Sequence, residues 1–244
     1  METQEYIRKP AVEMMDEGLR QYMIKVFNFM GLGLGVTALT AFLVANTSLI
    51  KLIYNIDYAQ RAMSMSVIGW IVVLAPLALV FAFPYVVKNK SLQTTQALFW
   101  LFSALMGASL SSVFIVYTAT SMVRVFLITA STFGVMALYG YTTKRDLSKI
   151  GSFCYMGLIG VIIATIVNFF MQSAAFYYAL SYITVAIFVG LTAWDMQKIK
   201  GVYYAFGGAD NEETAKIAIS GAMELYLDFI NLFLALLRIM GDRR

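Results

Sequence analysis

The chain has 244 residues, 60% of them hydrophobic and 13% charged, with a mean hydropathy of +0.74. So few charges cannot cover a water-soluble globule of this size, and the composition describes an integral membrane protein. The net charge of +4 comes from basic residues at the ends of apolar stretches, not from a patch with interleaved exposed aromatics, which excludes a nucleic-acid surface and makes the charges topology signals.

Residues 1–25 are mostly polar and form a predicted cytoplasmic N-terminal segment. Seven apolar stretches follow, at 26–46, 66–87, 95–117, 123–143, 150–171, 174–197 and 216–239. Each has the length of about 20 residues that spans ~30 Å of hydrocarbon at 1.5 Å per residue, and each is expected to be helical. They make up one predicted seven-helix transmembrane domain over 26–240, followed by a short tail at 241–244. The first stretch ends at LVANTS without a small-residue cleavage site and reads as a retained helix.

GLGLG at 31–35 lies inside an apolar helix with no preceding strand, so close packing through small residues explains it better than a nucleotide loop. SALMGASLSS (103–112) and ISGA (219–222) suit the same packing role. Pro76 and Pro84 are expected to bend the second span. Only 47–65 and 198–215 are long enough among the connections for structure of their own. In the latter, Asp210 or Asn211 is placed to cap a helix whose first turn carries Glu212 and Glu213.

Twelve basic residues, among them Arg8, Lys9, Lys88, Arg145, Lys198 and Lys216, fall on the N-terminal side of the predicted topology and six on the other. That asymmetry puts the N-terminus in the cytoplasm and, after seven crossings, the C-terminus outside. Arg238, Arg243 and Arg244 argue the other way, and a re-entrant last segment would return them to the cytoplasm.

Histidine is absent and Cys154 is the single cysteine. This removes His-based nucleophile activation, zinc and iron–sulfur ligation and an internal disulfide. With no GxGD-like acid motif in a span either, the chain reads as a non-enzyme without a resident cofactor. The polar groups that stand out are acids. In the last span Glu224, Asp228 and Asn231 follow at i, i+4 and i+7, with Ser220 and Arg238 on the same stripe. Asp228 is 12 residues into the predicted span, about 18 Å along its axis and near mid-membrane. An unpaired carboxylate there costs several kcal/mol, so such residues face a bundle interior and mark an ion or proton path, or serve as neutral packing glue.

Asp195 is the one acid of the sixth span, about a turn inside its predicted end, with Lys198 and Lys200 placed to snorkel to the headgroups. It can pair with those lysines along its own helix or with Asp228 across helices. Two carboxylates in one poorly hydrated site cannot both ionise cheaply, so the second arrangement would hold a single proton and sense pH. Fully ionised, the same oxygens would suit a hard cation such as calcium.

TAWDMQKIK (192–200) and LYLDFINLF (225–233), supported by GYTTKRDLSKIGSF (140–153) and GLRQYMIKVFNFM (18–30), resemble the bacterial branch of the transmembrane Bax inhibitor motif family over nearly the whole chain. The resemblance implies an all-α membrane fold of seven helices with six surrounding a central C-terminal one. It places the family's paired aspartates on Asp195 and Asp228, with Glu224 and Asn231 as secondary polar residues. It further implies a pH-dependent calcium leak in the bacterial inner membrane, or restraint of a membrane-anchored AAA protease as a non-conducting regulator. Two departures stand out: Met196 replaces the family's usual Thr, and the second span carries no acid or arginine in its apolar core with which to build a gating salt bridge.

Overall fold

In the computed structural model the backbone is described for residues 2–57, 62–206 and 211–244, and side chains for 17–55, 64–206 and 211–244. The chain folds as α1 (Glu2–Ala45), α2 (Ile50–Ile53), β1 (Tyr54–Asp57), β2 (Ala62–Met65), α3 (Val67–Asn89), α4 (Leu92–Ser109), α5 (Ser112–Val116), α6 (Ala119–Thr142), α7 (Ser148–Met171), α8 (Ala174–Ala205) and α9 (Glu212–Met240). Seven helical segments are long and apolar enough to cross a membrane, at 17–45, 67–89, 92–116, 119–142, 148–171, 174–205 and 212–240. Short polar connectors start several of them. Ser66, Ser91, Thr118 and Ser173 accept from the backbone N–H three residues on, satisfying a donor the helix leaves unpaired.

The structure departs from the sequence expectations in the third and sixth spans and adds detail at two other places. The third span is interrupted at Leu110 and Ser111. Here the Ser109 and Ser111 hydroxyls donate to the Met106 and Ala108 carbonyls at 2.8 and 2.7 Å, sharing acceptors that the Leu110 and Ser111 N–H groups also use. The connection at 47–65 holds a helical turn and an antiparallel hairpin pairing Tyr54 with Met65. The sixth span runs to Ala205, well past the predicted end at 197, so little free connection remains before α9. Both prolines of the second span sit inside a continuous α3.

The described chain falls into two compact units. One joins residues 22–117, 210–223 and 244. In it α3 packs on α4 and α2 on α3, and α1 meets α4 at Gly107, where a Cβ would lie 2.4 Å from the Thr37 carbonyl oxygen. That close approach lets the buried Thr37 hydroxyl donate to Ser103 O at 2.9 Å. Of the glycines in 31–35 only Gly33 is crowded, against Phe99; Gly31 and Gly35 face open space, so the expected small-residue contact narrows to one position. Asn211 caps α9 by accepting from Thr214 N at 2.9 Å, while Asp210, the other candidate, lies outside the described residues, as do Arg61 and the side chains of Arg8 and Lys9. Glu212 then accepts from Leu92 N at 2.8 Å.

The other unit joins residues 1–21, 118–209 and 224–243. Here α8 packs against both α6 and α7. A Cβ on Gly140 would sit 2.1 Å from the Ala193 carbonyl oxygen, so α6 and α8 touch backbone to backbone. The second half of α9 inserts Phe229 edge-on against Phe126 and Phe133, with ring centroids 5.5 Å apart in both cases. Overall the last helix is the most enclosed of the seven: 61% of its apolar stretch is buried, against 11 to 33% for the others. Leu225 and Leu232, about a quarter-turn from the polar stripe, are fully buried.

Candidate functional site: a carboxyl pair beside a lysine bridge

The site lies within the unit that holds α8 and the second half of α9. Asp195 and Asp228, both buried, bring their carboxyl groups within hydrogen-bond reach of each other. Each also carries a buried oxygen, Asp195 Oδ1 and Asp228 Oδ2, to which no other described group donates. A hydrogen bond between two carboxyl groups requires one proton, so the geometry is that of a pair able to hold it. Both pairings the sequence allowed for Asp195 have a counterpart: Asp228 across helices and Lys198 along its own helix.

Lys198, one turn on from Asp195, completes the cluster. Its Nζ donates to Glu224 Oε1 at 2.9 Å and stands 3.9 Å from Asp195 Oδ1. It lies 5.3 Å from the ring centre of Trp194, which is itself edge-packed on Tyr155. Lys200 donates to the Tyr141 carbonyl at 3.0 Å and sits over the Tyr141 ring. Both lysines lie inside α8, which extends to Ala205.

The remaining residues of the TAWDMQKIK stretch serve the frame. The Gln197 amide accepts from Leu147 N at 2.9 Å and donates to Arg145 O at 2.8 Å, so it fixes the turn between α6 and α7. Met196 is buried. Asn231 uses its amide on Leu227 O of its own helix at 2.8 Å, and Arg238 lies over the Tyr177 ring. Cys154 is buried beside Gly190, consistent with packing. Among the described residues no group of three or more His, Cys, Asp and Glu is arranged to hold a metal ion; the pair offers two carboxyl groups.

The pairing of Lys198 with Asp195 was legible in the sequence, but its bond to Glu224 was not. The i, i+3 spacing carries the first, whereas Glu224 belongs to another helix, and only the register between helices brings it to Lys198.

A helical membrane protein of seven spans, with an aspartate pair on its last two helices, is the class defined by this fold and site. The chain belongs to the family described as inhibitor of apoptosis-promoting Bax1, whose model matches residues 19–244. It is 46% identical to the protein RP147 of Rickettsia prowazekii over 94% of this chain and 92% of that one. It is 44% identical to the inner membrane protein YbhL of Escherichia coli K12 over 97% and 98%. A Caulobacter vibrioides protein is 39% identical over 94% and 92%.

Proposed function

We propose that the protein is a cation leak pathway of the bacterial inner membrane, with calcium as the permeant ion, gated by protonation of the Asp195 and Asp228 pair. The observation that carries this reading is the buried contact between the two carboxyl groups in a protein without histidine. Loss of the shared proton would leave two charges in one desolvated site, and such a site changes state when it titrates. Ionised, the pair offers hard oxygen ligands to a cation; protonated, it closes on itself through one hydrogen bond. The inner-membrane placement rests on the seven spans and on the likeness to YbhL. The cytoplasmic N-terminus rests on the basic-residue asymmetry.

The test is calcium flux against pH in liposomes for wild type, Asp195→Asn, Asp228→Asn and the double variant. Paired action requires that either single change flatten the pH profile and that the second add little. A double variant with the wild-type profile would reduce the carboxyls to structural groups. The competing reading, a non-conducting regulator that binds a membrane-anchored AAA protease, requires instead that wild type carry no flux while capturing the protease.

A further inference from the structure

Lys198 places a fixed positive charge at the edge of the proposed cation path, and its role there rests on that proposal. Its ammonium is 2.9 Å from Glu224 Oε1 but 3.9 Å from Asp195 Oδ1, and Asp195 Oδ1 receives no hydrogen bond from any described group. Lys198 and Glu224 are both about a third exposed, whereas the Asp195 side chain is 7% exposed. The ammonium, about a third exposed, therefore makes a loose ion pair with a buried carboxylate oxygen of Asp195 that receives no hydrogen bond, and its close bond goes to a second carboxylate. The lysine stem has the rotamer freedom to tighten onto that oxygen, and the Trp194 ring, 5.3 Å away, flanks the ammonium.

We infer that Lys198 is a tethered competitor for the cation at Asp195 and Asp228, and that Glu224 is the holding point that keeps it clear. When Lys198 bonds Glu224, the carboxyl pair is open to an external cation. When it swings onto Asp195 it occupies the ligand that the external cation would use. Glu224 thus acts through Lys198 as a positioning residue. This device needs no basic residue from the second span, where this chain has none in the apolar core.

The two residues then have opposite effects on the same quantity, which a plain structural ion pair would not produce. Lys198→Met keeps the apolar stem and removes the competitor, so calcium flux in liposomes should rise about tenfold, the factor that ~1.4 kcal/mol carries. Glu224→Gln releases the ammonium onto Asp195, so flux should fall by a similar factor. In the Lys198→Met background, Glu224→Gln should change nothing, and Lys198→Arg should stay near wild type. Equal-signed effects of the two single changes would overturn the inference in favour of a structural bridge. A loss on Glu224→Gln that persists without Lys198 would make Glu224 a direct cation ligand and overturn it as well. Terbium luminescence sensitised by Trp194, with Trp194→Phe as the blank, reads cation binding without any transport. Terbium should bind more tightly to Lys198→Met and more weakly to Glu224→Gln than to wild type. That pattern with no flux in any variant would sink the leak proposal and leave the competitor role standing; unchanged terbium affinity in both variants would sink the competitor role.

Discussion

The backbone N–H of Arg244 donates to the Val116 carbonyl at 2.9 Å, at the end of the third span opposite the one where Glu212 accepts from Leu92. The start of the last helix thus meets the start of 92–116, and Arg244, after it, meets the other end of that span. Within the other unit, Thr118 N and Arg124 Nη2 donate to the Asp242 backbone and carboxylate oxygens at 3.0 and 3.1 Å. A complete crossing by α9 would put Arg238 and Arg243 on the far side from Arg145, despite their charge; a re-entrant one would not.

The first prediction is that of the complete crossing. In a Cys154→Ala background, single cysteines at positions 243 and 118 should react with a membrane-impermeant maleimide from the same side, and one at 145 from the opposite side. Given the basic-residue asymmetry, position 145 should be the cytoplasmic one. Labelling of 243 and 145 from one side would require a re-entrant α9.

A second prediction uses the contact of α6 with α8. Gly140→Val adds a branched side chain where a single Cβ would already meet the Ala193 carbonyl oxygen at 2.1 Å. Overpacking of this kind costs about 1–3 kcal/mol, and the thermal midpoint in detergent should fall. Gly134 lies on the same helix with nothing within 4 Å of its Cβ position, so Gly134→Ala should leave the midpoint unchanged or raise it. Equal effects at the two positions would show that the helices are not in backbone contact at Gly140.

The sequence revealed the spans because an apolar stretch long enough for a bilayer admits only a helix. It revealed Asp195 and Asp228 because a carboxylate in such a stretch needs a partner. It did not reveal the break at Leu110 and Ser111, since serine is tolerated in apolar helices and only the local competition for carbonyls decides which serine interrupts one. The end of α8 was misplaced for a related reason. Lys198 and Lys200 look like a boundary until Glu224 and Tyr141 are known to receive them. The hairpin at 54–65 escaped notice because YNID and AMSM show no clear alternation of apolar and polar residues.

A third prediction concerns pH outside the spans. Asp146 accepts from Ser148 N at 2.9 Å, at the start of α7, and the hydrogen bonds from Ser148 hold its carboxyl below the usual carboxylate range. A depressed value means that the ionised form is favoured by folding. Its contribution is present above the ordinary Asp value of about 3.9 and disappears as pH falls through the lower folded value. A carbon-13 titration of the Asp146 carboxyl should therefore give a midpoint below that of a model peptide, the first turn of α7 should loosen at acid pH, and Asp146→Ala should remove that pH dependence. A midpoint at the ordinary value would show that the Ser148 bonds are not kept in solution.

The last prediction concerns Gln197, whose amide joins α8 to the turn at 143–147. One end accepts from Leu147 N and the other donates to Arg145 O, so a single side chain satisfies two backbone groups that neither helix can pair. Gln197→Leu keeps the approximate size but leaves both groups unpaired, at a cost of about 1–3 kcal/mol. The loss should be local: faster hydrogen exchange at the Leu147 amide and faster tryptic cleavage after Lys144 and Arg145, with α9 unaffected. Gln197→Glu separates the two bonds. Its carboxylate can still accept from Leu147 N but turns a second oxygen on the Arg145 carbonyl, so the loop should be intermediate near neutral pH. Protonation of that glutamate supplies an O–H for the Arg145 carbonyl, and acidification should then slow cleavage in Gln197→Glu while leaving Gln197→Leu unchanged. Cleavage rates identical in wild type and Gln197→Leu would show that this amide does not hold the turn.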